Sequence, residues 1–373
     1  MIKKIILLCF VSFQLVYSAN TFSIIATANV HGETDPCGWK KKPLGGLARK
    51  ATILNDYNDN DLFVVDAGNL FFSSDLIDDG VSKEVAKLNA DIILNSFNEM
   101  GCTAFSPGSK DFALGKKFIK SLSQKASFPF ISSNIFDSNG KLLFEPYIIK
   151  EIKGMKIAFI GLSSVFESDG LIVKEPISVL RELMDDLKFK TDIRVLLFSS
   201  NDLDMKQLKA LNLDLSMIIR SRNKQRSSDG GNGIPTYTLG DKGKILYKFD
   251  LEINDSDLEF TDIAWCDRTI KDSNSRLDKM KKGDMLVDLE KLFKDNPSAL
   301  KRVFLYQSRI EEANQRLENA INKIVINKIE LGKNISGNVD ILKIVDDGKL
   351  EINKLGVPQR HKHDHDGDGY PDH

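Results

Sequence analysis

Polar residues of types that bind metal ions stand at the ends of several apolar runs of the sequence. Asn29-Val30-His31 directly follows the run "FSIIATA", and its amide and imidazole groups are types that bind divalent cations. Cations held in this way polarise phosphoryl groups and activate water for hydrolysis.

These residues meet only if the apolar runs are strands of one folded domain. From residue 22 to about 265, short apolar runs alternate with helical patterns, which is typical of an α/β domain whose strands are covered on both faces. "IPTYTLG" and "KILYKFDLEI", on either side of "DKGK", predict a β-hairpin. The predicted strands are 22–28, 62–68, 128–135, 156–162, 194–200 and 215–219, and the predicted helices are 82–99, 115–125 and 176–188.

The composition changes after Asp267. Residues 276–327 are charged and carry one apolar stripe at helical spacing. The stripe predicts a helical hairpin that packs on the main domain or on itself, and a dimerising coiled coil is the alternative. Residues 340–357 predict a short β-like end.

The N-terminus predicts an export signal over residues 1–18, with Lys3 and Lys4 before an apolar stretch that is too short to span a bilayer. We therefore expect a periplasmic or secreted protein without a transmembrane anchor. The predicted domains are the signal (1–18), a main domain (19–267), a helical extension (268–357) and a His/Asp-rich tail (358–373).

The net charge bears on nucleic-acid binding, and the cysteine content bears on disulfide formation. The net charge of −1 argues against nucleic-acid binding driven by overall electrostatics. Three cysteines follow the signal, namely Cys37, Cys102 and Cys266, and they allow one disulfide plus one thiol in an oxidising compartment without fixing the pair.

The order of short motifs resembles that of the calcineurin-like metallophosphoesterases, and in particular the catalytic domain of the bacterial 5'-nucleotidases. The segments that carry the resemblance are "TANVHGETDPCG", "PLGGLARKATIL", "FVVDAGNLF", "GSKDFALG", "FPFISSNI", "GMKIAFIGL", "LDLSMIIRSR" and "TYTLGDKGKILYKFDLEI". The resemblance implies a four-layer αββα sandwich with two metal ions at the strand ends. The C-terminal third shows no such resemblance.

The family holds its metals with Asp-x-His, Gly-Asp, Gly-Asn-His, a later His and Gly-His-x-His, and this chain departs from nearly every motif. Asp-x-His is Asn29-Val30-His31, and Gly-Asp is Gly68-Asn69. Gly-Asn-His is Gly108-Ser109-Lys110, the later His is Ser200 or Asn201, and Gly-His-x-His is Ile219-Arg220-Ser221-Arg222. His31 alone is retained with certainty. The candidate site residues that the resemblance implies are Asn29, His31, Asn69, Ser109, Lys110, Asp111, Ser200, Arg220 and Arg222.

The histidine content leads to the same expectation without any alignment. Of five histidines, four lie in the last thirteen residues, so the body of the protein has one. We therefore predict a non-catalytic protein on a metallophosphoesterase scaffold, with a binding or structural role in the cell envelope and no metal cofactor in the main domain. The alternatives are an active periplasmic phosphohydrolase of the 5'-nucleotidase type with an atypical centre, and a metal-free binder of phosphorylated ligands.

The third alternative depends on three cations. Lys110, Arg220 and Arg222 replace lost metal ligands, and guanidinium and ammonium groups bind phosphate oxygens. In the competing interpretation the pocket has collapsed, and these side chains reach solvent or pair with nearby aspartates.

The tail carries a separate chemical signal. "DHDGDGYPD" places carboxylates at alternate or near-alternate positions with glycines between them, as a calcium loop requires. The candidate calcium ligands are Asp364, Asp366, Asp368, Tyr370 and Asp372. The preceding "HKHDH" leaves zinc, copper or nickel as alternatives, and a solvated tail as the simplest one.

Overall fold

The computed structural model describes residues 20–38, 42–57, 61–77, 80–211, 213–223, 226–229 and 233–356. Its strands are β1 Asn20–Thr27, β2 Pro36–Cys37, β3 Leu44–Gly45, β4 Leu62–Asp66, β5 Ala104–Phe105, β6 Ile135–Asp137, β7 Tyr147–Ile152, β8 Met155–Ser163, β9 Leu171–Val173, β10 Ile193–Ser199, β11 Met217–Ser221, β12 Arg226–Asp229, β13 Thr236–Leu239, β14 Ile245–Ile253, β15 Phe260–Asp262 and β16 Asn322–Glu330. Its helices are α1 Leu47–Asp56, α2 Lys83–Glu99, α3 Gly115–Lys125, α4 Pro176–Leu187, α5 Asp202–Lys209, α6 Ile263–Met280, α7 Leu289–Leu292, α8 Pro297–Glu318 and α9 Val339–Lys354.

Two six-stranded sheets pack face to face and form the centre of the molecule. Their strand orders are β15-β16-β14-β1-β4-β5 and β12-β13-β11-β10-β8-β7. An apolar core fills the space between them, and it includes Ile24, Val65, Phe159, Leu197 and Phe249. Two more apolar clusters join helices to the outer faces of the sheets. The predicted α/β fold with αββα layers is therefore confirmed.

The sheets bring the carboxyl ends of parallel strands together. In the first sheet β1, β4 and β5 run parallel, and in the second β8, β10, β11 and β13 do so. Their near-continuous apolar sequences reflect cover on both faces, and all seven residues of β10 are buried. The loops that leave these ends carry the candidate site residues.

Two predicted β elements of the main domain are wrong in detail. The segment 128–135 contributes isolated bridges, such as Phe105 to Phe130, before the short β6 begins at Ile135. The predicted hairpin does not form, because β13 pairs with β11 and β12 while β14 pairs with β1 and β16. The turn "DKGK" therefore crosses from one sheet to the other.

The C-terminal third also differs from its prediction. Helices α6 and α8 pack together, but residues 322–330, predicted as helical up to 327, form β16 and extend the first sheet beside β14. The predicted β-like end is helix α9, because Ile341, Val345 and Ile352 fall on one buried helical face and Asn338 caps the start. Helix α9 packs on α2 and α1 of the main domain.

Some predictions lie outside the described residues. These are the export signal at 1–18 and the calcium candidates Asp364, Asp366, Asp368, Tyr370 and Asp372. Within the described part, no helix is both long and apolar enough to cross a membrane. The thiols of Cys37, Cys102 and Cys266 are all free, so none of them forms the disulfide that the sequence allowed.

Candidate functional site

The two sheets are joined by hydrogen bonds where their parallel strands end. The Ser221 hydroxyl, at the end of β11, donates to the Ala67 carbonyl after β4 at 2.6 Å. The Ser106 hydroxyl, after β5, donates to the Leu197 carbonyl in β10 at 3.2 Å. All four groups are buried. We call this buried polar contact between the strand ends of the two sheets, around Ser221, Ala67, Ser106 and Leu197, the seam.

Asn29 lies at the centre of this seam and is fully buried. Its Nδ2 donates to the carbonyls of Asn223 at 3.0 Å and Gly240 at 2.9 Å. Its Oδ1 accepts from Asn69 Nδ2 at 3.1 Å and from the backbone N–H of Arg222 at 2.9 Å. Both amide hydrogens and both lone pairs of Asn29 therefore have protein partners.

Asn69 and Asp111 fix the loops on the first sheet in the same manner. Asn69 Oδ1 accepts the backbone N–H of Lys110 at 3.3 Å. The Asp111 carboxylate accepts backbone N–H groups of Asn69 and Gly108 at 2.8 Å and of Phe71 at 2.9 Å. Burial raises the pKa of Asp111 to about 6 against the effect of these bonds. Through these hydrogen bonds Asp111 joins the loop that follows β4 to the loop that follows β5.

Four of the site residues adopt a left-handed backbone conformation that few side chains tolerate. The φ angles are 53° at Asn29, 59° at His31, 56° at Asn69 and 69° at Arg222. Asparagine accepts this region more readily than most residues, but histidine and arginine are strained in it. Such conformations concentrate at functional sites of folded proteins.

His31 remains next to the seam. Its side chain is 8% exposed, and its Nδ1 lies 3.3 Å from the Phe72 carbonyl oxygen. A donor at Nδ1 would leave Nε2 as the basic nitrogen, which is the form that a general base needs.

Arg220, one of the three predicted anion ligands, has protein partners at the end of the second sheet. The guanidinium is buried, its Nε donates to the Ser200 hydroxyl at 2.7 Å, and its second nitrogen donates to Asp202 Oδ1 at 2.6 Å. The hydrogen bond and charge of Arg220 lower the pKa of Asp202. This ion pair joins the start of α5 to the end of β11.

The other two predicted cations, Lys110 and Arg222, have different surroundings. The Lys110 ammonium donates to the Ser73 carbonyl. The Arg222 side chain is exposed, while its backbone N–H points to Asn29. These contacts favour the collapsed arrangement, and anion binding by Lys110, Arg220 and Arg222 stays a prediction. Ser109 is buried at the start of the short 3-10 turn Ser109–Phe112.

A buried polar cluster below the seam was not predicted. Asp66 at the end of β4 accepts the Thr27 hydroxyl at 2.6 Å, and Lys50 donates to the same hydroxyl at 3.1 Å. The Lys50 ammonium also lies 3.8 Å from the centre of the Phe97 ring. Burial raises the pKa of Asp66 to about 7 and lowers that of Lys50 to about 8. The position of Lys50 within the apolar i, i+3, i+4, i+7 face of α1 was the signal that could have revealed it.

Part of the chain is similar in sequence to a metallophosphoesterase and to 5'-nucleotidases. The Bacillus subtilis protein YunD, named an uncharacterized metallophosphoesterase, is 32% identical over 119 residues, which are 30% of this chain and 26% of YunD. The 5'-nucleotidase of Vibrio cholerae is 30% identical over 120 residues, which are 32% of this chain and 21% of that enzyme. The match thus spans about a quarter of each relative. No protein-family model matches the chain.

A solved structure extends the likeness over most of the chain. The 5'-nucleotidase precursor of Thermus thermophilus superimposes with a TM-score of 0.63 at 13% identity, covering 90% of this chain and 60% of that one. The fold is that of the calcineurin-like metallophosphoesterases. Within this class, the chain resembles the 5'-nucleotidases, as its motifs predicted.

These relatives correct one prediction. The expectation that the main domain has no metal cofactor conflicts with them, because a sequence relative is a metallophosphoesterase by name and the fold is that of metal-dependent enzymes. They also support the alternative of an active phosphohydrolase better than the non-catalytic prediction.

The side chains at the strand ends nevertheless differ in chemistry from the ligand set of that family. The amide groups of Asn29 have protein partners throughout, and the guanidinium of Arg220 lies against Ser200 at the end of β10. Among the described residues, His, Cys, Asp and Glu side chains form no group of three that could hold a metal ion. The residues present do not fit a two-metal centre of the family type.

Proposed function

We propose that this protein is a non-hydrolytic relative of the 5'-nucleotidases, exported from the cytoplasm, which serves as a binding or structural component of the cell envelope. The scaffold is that of a phosphoesterase, but the residues at its strand ends hold the two sheets together. The proposed export rests on the N-terminal charged and apolar pattern of residues 1–18.

One observation carries the proposal. The Asn29 side chain has four protein partners, on three different loops, at the position where the family places a metal-binding aspartate. A residue that binds a catalytic metal must keep an oxygen available to it. In this chain the corresponding oxygen, Asn29 Oδ1, accepts hydrogen bonds from the Asn69 side-chain amide and from the Arg222 backbone N–H.

The second candidate is an active phosphohydrolase with an atypical centre. It is favoured by the 5'-nucleotidase relatives and by the left-handed backbone at Asn29 and His31, a conformation that concentrates at functional sites. His31 would then serve as general base, and Asp66 or Asp111 would have to leave their present partners to take part in the reaction.

An assay of phosphate release separates the two candidates. The purified protein is incubated with a 5'-mononucleotide and with p-nitrophenyl phosphate, in the presence of manganese, zinc, magnesium or calcium. We expect no turnover above that of a protein-free control incubated in parallel. Turnover by the parent that falls at least tenfold in the His31→Ala variant would establish the phosphohydrolase instead.

A further inference from the structure

A helical hairpin projects from the edge of the first sheet. Helix α6 begins directly after β15, and α8 ends at Glu318, shortly before β16. Both of these ends therefore lie at the sheet. Since a helix rises about 1.5 Å per residue, the 18 residues of α6 carry its other end roughly 27 Å away. We call residues 276–305, which form this remote end, the hairpin tip.

Large apolar side chains are exposed on the hairpin tip. Leu286 is 95% exposed and Met285 61% exposed, and Leu292, Phe304 and Leu305 are each close to half exposed. The segment that carries them is held in place, because Leu289 packs with Val303 and Leu277 in a small core of its own. The exposed residues therefore belong to an ordered surface. Five exposed apolar side chains within 30 residues are more than the scattered single ones that are normal on a protein surface, and such a concentration marks an interaction site.

The hairpin tip also carries a net positive charge. It holds eight Lys and Arg residues against five Asp and Glu, a net charge of +3, whereas the whole chain has −1. The rest of α8, residues 306–318, contains two Arg and three Glu, so the positive charge is confined to the end that is remote from the sheet. Lys282, Lys294 and Lys301 are exposed there beside the apolar residues.

We propose that the hairpin tip docks the protein reversibly on the anionic surface of a phospholipid membrane. The apolar side chains enter the boundary between headgroups and acyl chains, and the lysines lie among the lipid phosphates. A second copy of the chain is a poorer occupant, since tip-to-tip contact would bring two charges of +3 together. The docking is peripheral and does not require that any part of the chain crosses the bilayer.

Vesicle co-sedimentation of the full chain tests the proposal, with neutral phosphatidylcholine vesicles compared with vesicles that contain phosphatidylglycerol. We expect binding to the anionic vesicles at low salt, weakened by raising the salt concentration. The variant Leu286→Ser should bind the anionic vesicles about tenfold more weakly than the parent protein. The double variant Lys282→Gln, Lys294→Gln should lose about fivefold in vesicle affinity for each lysine replaced. The predicted export signal is common to all of these proteins and contributes equally.

The matched control is Phe189→Ser on the main domain. Phe189 is 83% exposed and lies between Lys188 and Lys190, so it offers similar chemistry at one isolated place. This variant should bind vesicles like the parent. The proposal would be overturned if the parent protein did not bind anionic vesicles. It would also be overturned if the tip variants bound them as tightly as the parent does. A dimer that Leu286→Ser converts to monomer, without vesicle binding, would overturn it in favour of self-association.

Discussion

The side-chain amide of Asn69 donates a hydrogen bond of 3.1 Å to the side-chain oxygen of Asn29, between the loops that follow two adjacent parallel strands. Both residues are fully buried and both have positive φ. The motif resemblance assigns both positions to carboxylates in the family. Two facing carboxylates repel each other, whereas two amides can donate to and accept from each other. In this chain the two side chains bind each other at the strand ends.

Removing the Asn29 side chain should destabilise the fold strongly. The Asn29→Ala variant leaves two buried carbonyls and two buried donors without this partner. We expect the free energy of unfolding to fall by about 2–4 kcal/mol in urea denaturation. Asn314→Ala is the matched control, because Asn314 is exposed on α8 and its loss should cost less than about 0.5 kcal/mol. Equal effects of the two changes would show that the buried network contributes little.

Gly108 should be intolerant of a side chain for a steric reason alone. A Cβ there would lie 2.5 Å from Asn69 Oδ1 and 2.6 Å from Ser199 Oγ, while its φ of −97° is allowed for any residue. Gly108→Ala should therefore cost about 2–3 kcal/mol of unfolding free energy. At Gly140 a Cβ meets nothing within 4 Å but φ is 76°, so Gly140→Ala should cost only about 1 kcal/mol of backbone strain. A smaller loss for Gly108→Ala than for Gly140→Ala would contradict the close packing of the seam.

The buried pair Asp66 and Lys50 should give stability an unusual dependence on pH. Burial raises the pKa of Asp66 to about 7, so between about pH 4 and 7 the folded state binds more protons than the unfolded state. The free energy of unfolding should decrease across this window. Burial lowers the pKa of Lys50 to about 8, so between about pH 8 and 10 the folded state binds fewer protons and stability should rise again.

Urea denaturation at a series of pH values measures this profile. We expect a minimum near neutral pH with limbs of the order of 2–4 kcal/mol. The variant Lys50→Met keeps the shape of the side chain and should abolish the alkaline limb. A parent protein whose stability instead increases steadily from about pH 4 to 7 would show that Asp66 is ionised in the folded state throughout.

The sequence predicted the main domain better than the extension, for physical reasons. Strands such as β10 are apolar throughout, so their burial is encoded locally. Residues 322–330 alternate weakly, and their strand forms because β14 offers a free edge, which no local pattern records. The helical end at Val339–Lys354 was within reach of sequence analysis, since Ile341, Val345 and Ile352 recur at helical spacing.

For the candidate site, residue types were easier to predict than their contacts. Arg220 pairs with Asp202, which lies 18 residues earlier and is brought near by the parallel pairing of β10 with β11, and its motif position alone did not indicate this partner. Asn29 was identified as a lost ligand, but its bonds to Asn223 and Gly240 depend on residues about 200 positions away. Such contacts follow from topology and have no local signature.

Helix α9 should be part of the cooperative core of the main domain. Val345 is buried among residues of α1 and α2, while Val339 in the same helix is 77% exposed. Val345→Ala should lower the free energy of unfolding by about 1–3 kcal/mol, and Val339→Ala by less than about 0.5 kcal/mol. Both variants should unfold in a single transition. A separate early transition in Val345→Ala would show that the C-terminal helix is an independent unit.

We propose that the strand ends of this phosphoesterase fold do not hydrolyse phosphate esters, because their side chains bind one another. To test this, the protein is mixed with an equimolar 5'-mononucleotide and zinc or magnesium, and the phosphorus NMR spectrum is followed for a day. We expect the monoester signal to decay no faster than in the protein-free control. Stoichiometric release of inorganic phosphate, lost in His31→Ala, would contradict it and establish a working hydrolytic centre.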